Sequence, residues 1–118
     1  LNDTIEKNII INFTNKDLNK SNLEKIIQEL GLEKLYDQLI TFENSQSLSG
    51  GEKQRIGFAR AIYKNSPIML FDEPTNNLDE ENENTILSKI NLLNGKKTIV
   101  IVSHNPKFKS ICDKIITL

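Results

Sequence analysis

Two adjacent carboxylates, Asp72 and Glu73, close a short apolar run, Ile68-Met69-Leu70-Phe71. The one histidine of the chain, His104, follows a second such run, Ile99-Val100-Ile101-Val102 and Ser103. A carboxylate at the end of a buried strand is costly unless it binds something. Asp72 suits a hard cation such as magnesium, which takes carboxylate and water oxygens. Glu73 beside it could orient or deprotonate a water. The bland alternative is an acidic turn without chemistry, and the turn that follows, Pro74-Thr75-Asn76-Asn77-Leu78-Asp79, weighs against it. A lone histidine is more often structural than catalytic, but His104 sits at a strand end like Asp72 and Glu73. Zinc-type clusters are excluded because no second His or Cys stands at ligand spacing. A serine hydrolase is excluded because no G-x-S-x-G turn occurs.

A third group lies upstream. Ser49-Gly50-Gly51-Glu52 opens a helix, and two glycines let backbone approach a ligand while free amides point at it. Such an end accepts phosphate. Ser49 and Glu52 also match a capping box, so the serine has an equally ordinary task on its own helix.

The elements that must position these groups are legible from periodicity. Leu1 to Phe13 reads as a short amphipathic element with Ile5 and Ile9 on one face. Ser21-Asn22-Leu23-Glu24 predicts a capped helix from Asn22 to Leu30, stopped by Gly31, with Leu23, Ile26, Ile27 and Leu30 inward. Leu32 to Ile40 predicts a second short helix carrying Leu32, Leu35, Tyr36 and Leu39. Thr41 to Ser47 is a polar connector. The helix from Gly50 to about Lys64 turns Ile56, Ala59, Ile62 and Tyr63 inward, and Asn65-Ser66-Pro67 ends it. Ile68 to Asp72 is expected to be a strand buried on both faces, as in a parallel sheet. Asp79 caps a helix from Glu80 to Leu93, and a second buried strand spans the run before Ser103. Asn105 and Pro106 start a short helix to about Cys112, and Ile115 to Leu118 reads as a final strand. The alternation of helix and strand predicts an α/β fold with parallel pairing, in which ligands bind beyond the carboxyl ends of strands. Residues 1–47 form a helical subdomain on this reading, and 48–118 the α/β part.

Composition sets the frame. A chain of 118 residues is about one domain in size. It is 37% hydrophobic and 26% charged, ordinary for a globular chain. A formal net charge of -1 offers no basic stripe, so no nucleic-acid partner is expected. One cysteine, Cys112, excludes an internal disulfide. No apolar run reaches the ~18 residues of a membrane span. Asn, Ile and Lys usage fits AT-rich coding and a bacterial source.

The motifs together resemble one family. Leu48-Ser49-Gly50-Gly51-Glu52 matches the signature of ABC-type ATPase nucleotide-binding domains. Ile68 to Glu73 matches the Walker B strand, Asn76-Asn77-Leu78-Asp79 the D-loop, and Ser103-His104 the switch histidine. The D-loop departs slightly, since the family more often has Ser-Ala before Leu-Asp. Thr4-Ile5-Glu6-Lys7-Asn8-Ile9 resembles the start of the helical subdomain in exporter-type members. The resemblance implies a partial P-loop NTPase-like parallel sheet with flanking helices, preceded by a small all-helical subdomain. It implies ATP and Mg2+ as cofactors, Asp72 as the magnesium ligand, and Glu73 and His104 as catalytic residues. Ser49, Gly50, Gly51 and Glu52 would bind the ATP of a second nucleotide-binding domain in a head-to-tail dimer, and Asp79 would link the two sites. The other implied partner is a transmembrane domain, at the cytoplasmic face of a bacterial cell membrane. No G-x-x-x-x-G-K-[ST] loop is present. The chain is therefore expected to be the second half of such a domain and inactive alone. Two alternatives stand beside the exporter: a soluble translation-associated ABC-F ATPase, which shares the Asp-Glu-Pro-Thr-Asn turn, and a non-catalytic dimerisation or docking module. A DNA-repair ABC ATPase ranks last, because a long coiled coil should interrupt the region before the signature.

Overall fold

The computed structural model describes residues 4–10, 18–35 and 48–118, with Ile5 described by its backbone alone. The chain forms two compact units, 1–66 and 67–118. The first contains Ser49 to Glu52, and the second contains Asp72, Glu73 and His104.

The first unit is helical. Helix α1 (Ile5–Ile9) is capped by Thr4, whose hydroxyl accepts from the Lys7 amide at 3.3 Å. It fully buries Ile9. Helix α2 (Lys20–Glu29) buries Leu23, Ile26 and Ile27, with Leu30 just beyond its end, the face that periodicity predicts. Its cap is Asn19 rather than Ser21. The Asn19 side chain accepts from the Asn22 amide at 3.0 Å, and the Asn19 N–H donates to the Tyr63 hydroxyl at 3.0 Å. Asparagine caps as well as serine does, and the tertiary bond to Tyr63 fixes which of the two is used. At the other end Gly31 has φ 63, and the Leu32 amide reaches back to the Ile27 carbonyl at 3.0 Å while the Gly31 amide bonds Gln28 at 3.1 Å. That is the two-bond Schellman closure, with Leu32 buried beneath it. Only a 3-10 turn, Glu33–Leu35, represents the expected second helix, whose remaining residues 36–40 lie outside the described ones, as does the connector 41–47.

Helix α3 (Gly50–Lys64) packs on α1 and α2 and belongs to this first unit, so the compact units divide at Ser66 and Pro67, beyond α3. Ile56, Ala59 and Tyr63 are buried as expected; Phe58 is buried too, while Ile62 is only half-buried. Two arginines tie α3 down. Arg60 Nε donates to the Asn8 carbonyl at 2.8 Å, and Arg55 Nη1 donates to the carbonyls of Leu30 and Gly31 at 2.9 and 3.2 Å. The guanidinium thus satisfies the carbonyl end of α2, where a cation is favoured by the helix dipole.

The second unit is a β-α-β crossover. Strand β1 (Ile68–Asp72) and strand β2 (Thr98–Val102) pair in parallel, with Ile68 opposite Thr98 and Asp72 opposite Val102. Helix α4 (Glu80–Leu93) connects them and is capped by Asp79. Gly95, at φ 78, turns the chain out of the helix. Met69, Phe71, Ile86, Ile90 and Phe108 form its buried set. The expectation that both strand faces are buried is corrected: Ile68 and Leu70 are 66% and 69% exposed, and Val100 and Val102 are also exposed. One crossover helix covers one face of a sheet, and among the described residues nothing covers the other. The helix expected after Pro106 is a 3-10 turn, Pro106–Ser110, capped by Asn105. The final strand expected at Ile115 to Leu118 is absent, and Ile115, Ile116 and Leu118 are exposed. No third strand among the described residues offers them a ladder.

Candidate functional site

Glu73 leaves β1 with φ 46, a left-handed conformation that costs a non-glycine residue energy and needs support. Support comes from β2: the Glu73 amide donates to the Val102 carbonyl at 2.8 Å, adding one rung beyond the strand pair. The turn re-aims the side chain. Asp72 lies on the exposed face with Ile68 and Leu70, whereas the Glu73 carboxylate meets the segment that follows β2. Ser103 Oγ donates to Glu73 Oε2 at 3.2 Å. The His104 amide donates to Oε1 at 3.2 Å and lies 3.5 Å from Oε2. His104 Nε2 stands 3.7 Å from Oε1, with the imidazole fully exposed and the Glu73 side chain 22% exposed. Two of the residues singled out from sequence, Glu73 and His104, are thus brought together at the carboxyl ends of the strands.

The turn after Glu73 is held by its own backbone. The Asn76 amide bonds the Glu73 carbonyl at 3.1 Å, and Asn77 takes φ 61. Asp79 spends its carboxylate locally, accepting from the Asn82 amide at 2.8 Å and the Asn82 side chain at 2.9 Å.

A second group of polar side chains joins this turn to the segment after β2. Asn105 Nδ2 donates to Thr75 Oγ1 at 3.1 Å and to Glu83 Oε1. Lys107 Nζ donates to the other Glu83 oxygen at 2.7 Å. That bond, with help from Asn105, holds the Glu83 carboxyl below its ordinary value against the opposing effect of burial, and Glu83 in turn raises Lys107. The Asn105 amide donates to Ser103 Oγ at 3.0 Å. Sequence reasoning missed Thr75, Glu83 and Lys107 as members of the site and read Asn105 only as a cap. Their spacing carries no local signal, because their partners lie 22 to 30 residues away in sequence.

The signature group belongs to the first unit. Ser49 Oγ accepts from the Glu52 amide at 3.0 Å, and Glu52 Oε2 accepts from the Ser49 amide at 2.7 Å. The capping box is complete, so the modest reading of these residues holds at the level of structure. Gly50 and Gly51 occupy the first turn of α3, where backbone amides have no intrahelical partner. Arg55 Nε reaches the Gly51 carbonyl at 3.4 Å, so the side chain that closes α2 also touches this turn.

Among the described residues no three His, Cys, Asp or Glu gather as a metal cluster, and no helix is long and apolar enough to cross a membrane.

The parallel β-α-β unit thus sets a glutamate against a histidine beyond its strand ends, and a capped Ser-Gly-Gly helix lies upstream in sequence. Comparison with known proteins gives the family. The family pattern described as ABC transporter matches residues 2–76. A probable ABC transporter ATP-binding/permease protein from Haemophilus influenzae is 39% identical over 98% of this chain and 22% of its own length. An ATP-dependent lipid A-core flippase from Aliivibrio fischeri is 34% identical over 99% of this chain and 21% of its own. The structure of a bacterial Atm1-family ABC exporter with ATP bound superposes with a TM-score of 0.77 at 32% identity, covering 91% of this chain and 20% of that one. The chain belongs to the ABC transporter family. It spans between 20% and 22% of the length of these three proteins.

Proposed function

We propose that this chain is part of the ATP-hydrolysing domain of a bacterial membrane ABC exporter, acting at the cytoplasmic face, where ATP turnover drives transport. The observation that carries the reading is the meeting of Glu73 and His104 at the carboxyl ends of β1 and β2. Similarity to a lipid A-core flippase and to an Atm1-family exporter supports an exporter over a soluble ABC-F ATPase.

In this reading Glu73 accepts the proton of the attacking water, and His104, with a fully exposed ring, contacts the terminal phosphate and orients that water. Asp72 supplies an exposed carboxylate one residue before Glu73, a hard oxygen donor of the kind Mg2+ takes singly or in pairs alongside phosphates and water. The cation, when bound, neutralises phosphate charge. The amides of Gly50 and Gly51, with Ser49 and Glu52, face the terminal phosphate of ATP held by a second domain in a head-to-tail dimer, and Asp79 lies between the two sites. The helix end is suited to an anion by its dipole and its free amides. A transmembrane domain is the remaining partner.

The test is turnover by the full protein in a bilayer. Glu73→Gln keeps the hydrogen-bonding shape and removes the base, so ATP hydrolysis falls about a hundredfold or more while ATP binding persists. Turnover equal to that of the unsubstituted protein ends this assignment.

A further inference from the structure

Every polar atom of the Asn105 side chain is engaged, and none of its partners is a group given a part in hydrolysis above. Nδ2 reaches Thr75 Oγ1 at 3.1 Å and Glu83 Oε1, while Oδ1 accepts from the Lys107 amide at 3.0 Å. Its backbone amide donates to Ser103 Oγ at 3.0 Å. That last bond has a consequence for Glu73. With a lone pair of Ser103 Oγ occupied by the Asn105 N–H, the hydroxyl proton is directed at Glu73 Oε2, 3.2 Å away. The carboxylate therefore receives an O–H from Ser103 and an N–H from His104, donors on consecutive residues. Where those donors stand depends on where residues 103–105 stand.

Asn105 fixes that position. Through Thr75 it is tied to the turn that follows Glu73, and through Glu83 to the first turn of α4. Glu83 is itself held by Lys107 at 2.7 Å, with its side chain only 19% exposed. The mutual pKa displacements of Glu83 and Lys107 agree with an engaged pair.

We propose that Asn105, braced by Glu83 and Lys107, is a positioning residue that sets the orientation of Glu73 through the Ser103 hydroxyl and the His104 amide. The proposal rests on the hydrolytic reading of Glu73 given above. It assigns no contact with nucleotide to Asn105, Glu83 or Lys107. Displacements of about an ångström at such a site cost up to about a hundredfold in rate. The effect falls on kcat, because the base and His104, which both act on the attacking water, are misaimed while Asp72 and the Ser49 to Glu52 helix end are untouched.

The experiment uses the full protein in liposomes, with ATP turnover, KM for ATP and melting temperature measured for each variant. Asn105→Ala lowers kcat about ten- to hundredfold with KM and melting temperature little changed. Ser103→Ala lowers kcat by about tenfold, and Ser103→Thr, which keeps a hydroxyl, restores most of it. Lys107→Ala gives a smaller loss that Lys107→Arg repairs. If Asn105→Ala fails to fold, the Ser103 pair and the Lys107 pair decide. Unchanged kcat in Ser103→Ala and Lys107→Ala overturns the proposal, provided Glu73→Gln is inactive in the same preparation. So does a loss that disappears once turnover is scaled to the folded fraction, for then the residues only stabilise the fold. An active Glu73→Gln instead removes the hydrolytic reading itself.

Discussion

The N-terminus of α3 and the carboxyl ends of β1 and β2, both assigned to phosphate in the proposal above, fix their polar groups in opposite ways. At Ser49 to Glu52 the order is local: serine and glutamate three residues apart satisfy each other's amides, and the helix needs nothing distant to begin. At Glu73 the order is imposed from afar. Its backbone is held in a left-handed turn by Val102, and its carboxylate by Ser103 and His104, 30 and 31 residues away. A local site survives damage elsewhere. A site assembled by register fails when the register does.

The sharpest way to break this contrast is in the core of the second unit. Ile86 is fully buried, and Ile86→Ala costs about 2–5 kcal/mol in a site that cannot collapse. Hydrogen exchange of the full protein should then rise across 68–73 and 98–104 and stay unchanged across 49–56; equal loosening of both erases the distinction. Next in size is a change at the closure of α2. Gly31 takes φ 63, and a Cβ there would lie 3.2 Å from Arg55 Nη1. Gly31→Ala costs about 1–2 kcal/mol from the backbone conformation alone, read as a lower melting temperature. Here the loss should appear in the exchange of α2 and α3. Smaller again is the cap itself: Ser49→Ala removes the acceptor for the Glu52 amide and costs about 1 kcal/mol, read as a lower melting temperature.

The smallest effect is electrostatic. Glu83 is held below its ordinary value of 4.5, so its contribution to stability is complete above that pH and is lost as pH falls through the lower folded value. Lys107 is held above 10.5, so its contribution is complete below that pH and is lost as pH rises through the higher folded value. Between those limits the pair adds a pH-independent increment. Lys107→Met should therefore lower the melting temperature at neutral pH and narrow its difference from the unsubstituted protein in acid. A difference that persists undiminished in acid would mean that Lys107 contributes packing rather than charge.

The same contrast explains what could be read from sequence. Helices α3 and α4, strands β1 and β2, the capping box and the Asp79 cap are all announced by residues within a turn or a strand of one another, and they stand where periodicity puts them. Asn19 displaced Ser21 as the cap of α2 because Tyr63, 44 residues on, chose between two competent caps. The arginine that closes α2 comes from α3, and no pattern near Leu30 foretells it. Glu73 and His104 were nominated by strand-end position, which parallel topology converts into proximity. Asn105, Glu83 and Lys107 were invisible as a group, since an asparagine before a proline and acids in a first helical turn have sufficient local reasons to be there. The strand run also misled on burial: apolar residues on both faces imply a covering layer, but they do not supply it.

The single rung between Glu73 and Val102 also sets an order of events in time. The capping box closes over three residues, on the scale of helix initiation. The Glu73 rung must first close the stretch that holds α4, whose length-dependent entropy is about 3 kcal/mol, and parallel pairing of this kind is intrinsically slow. Folding in chain order therefore completes the Ser-Gly-Gly helix end early and gains the glutamate–histidine pair only once β2 is in place. For that interval, on the proposed reading, the chain has the groups assigned to holding a phosphate without those assigned to cleaving one.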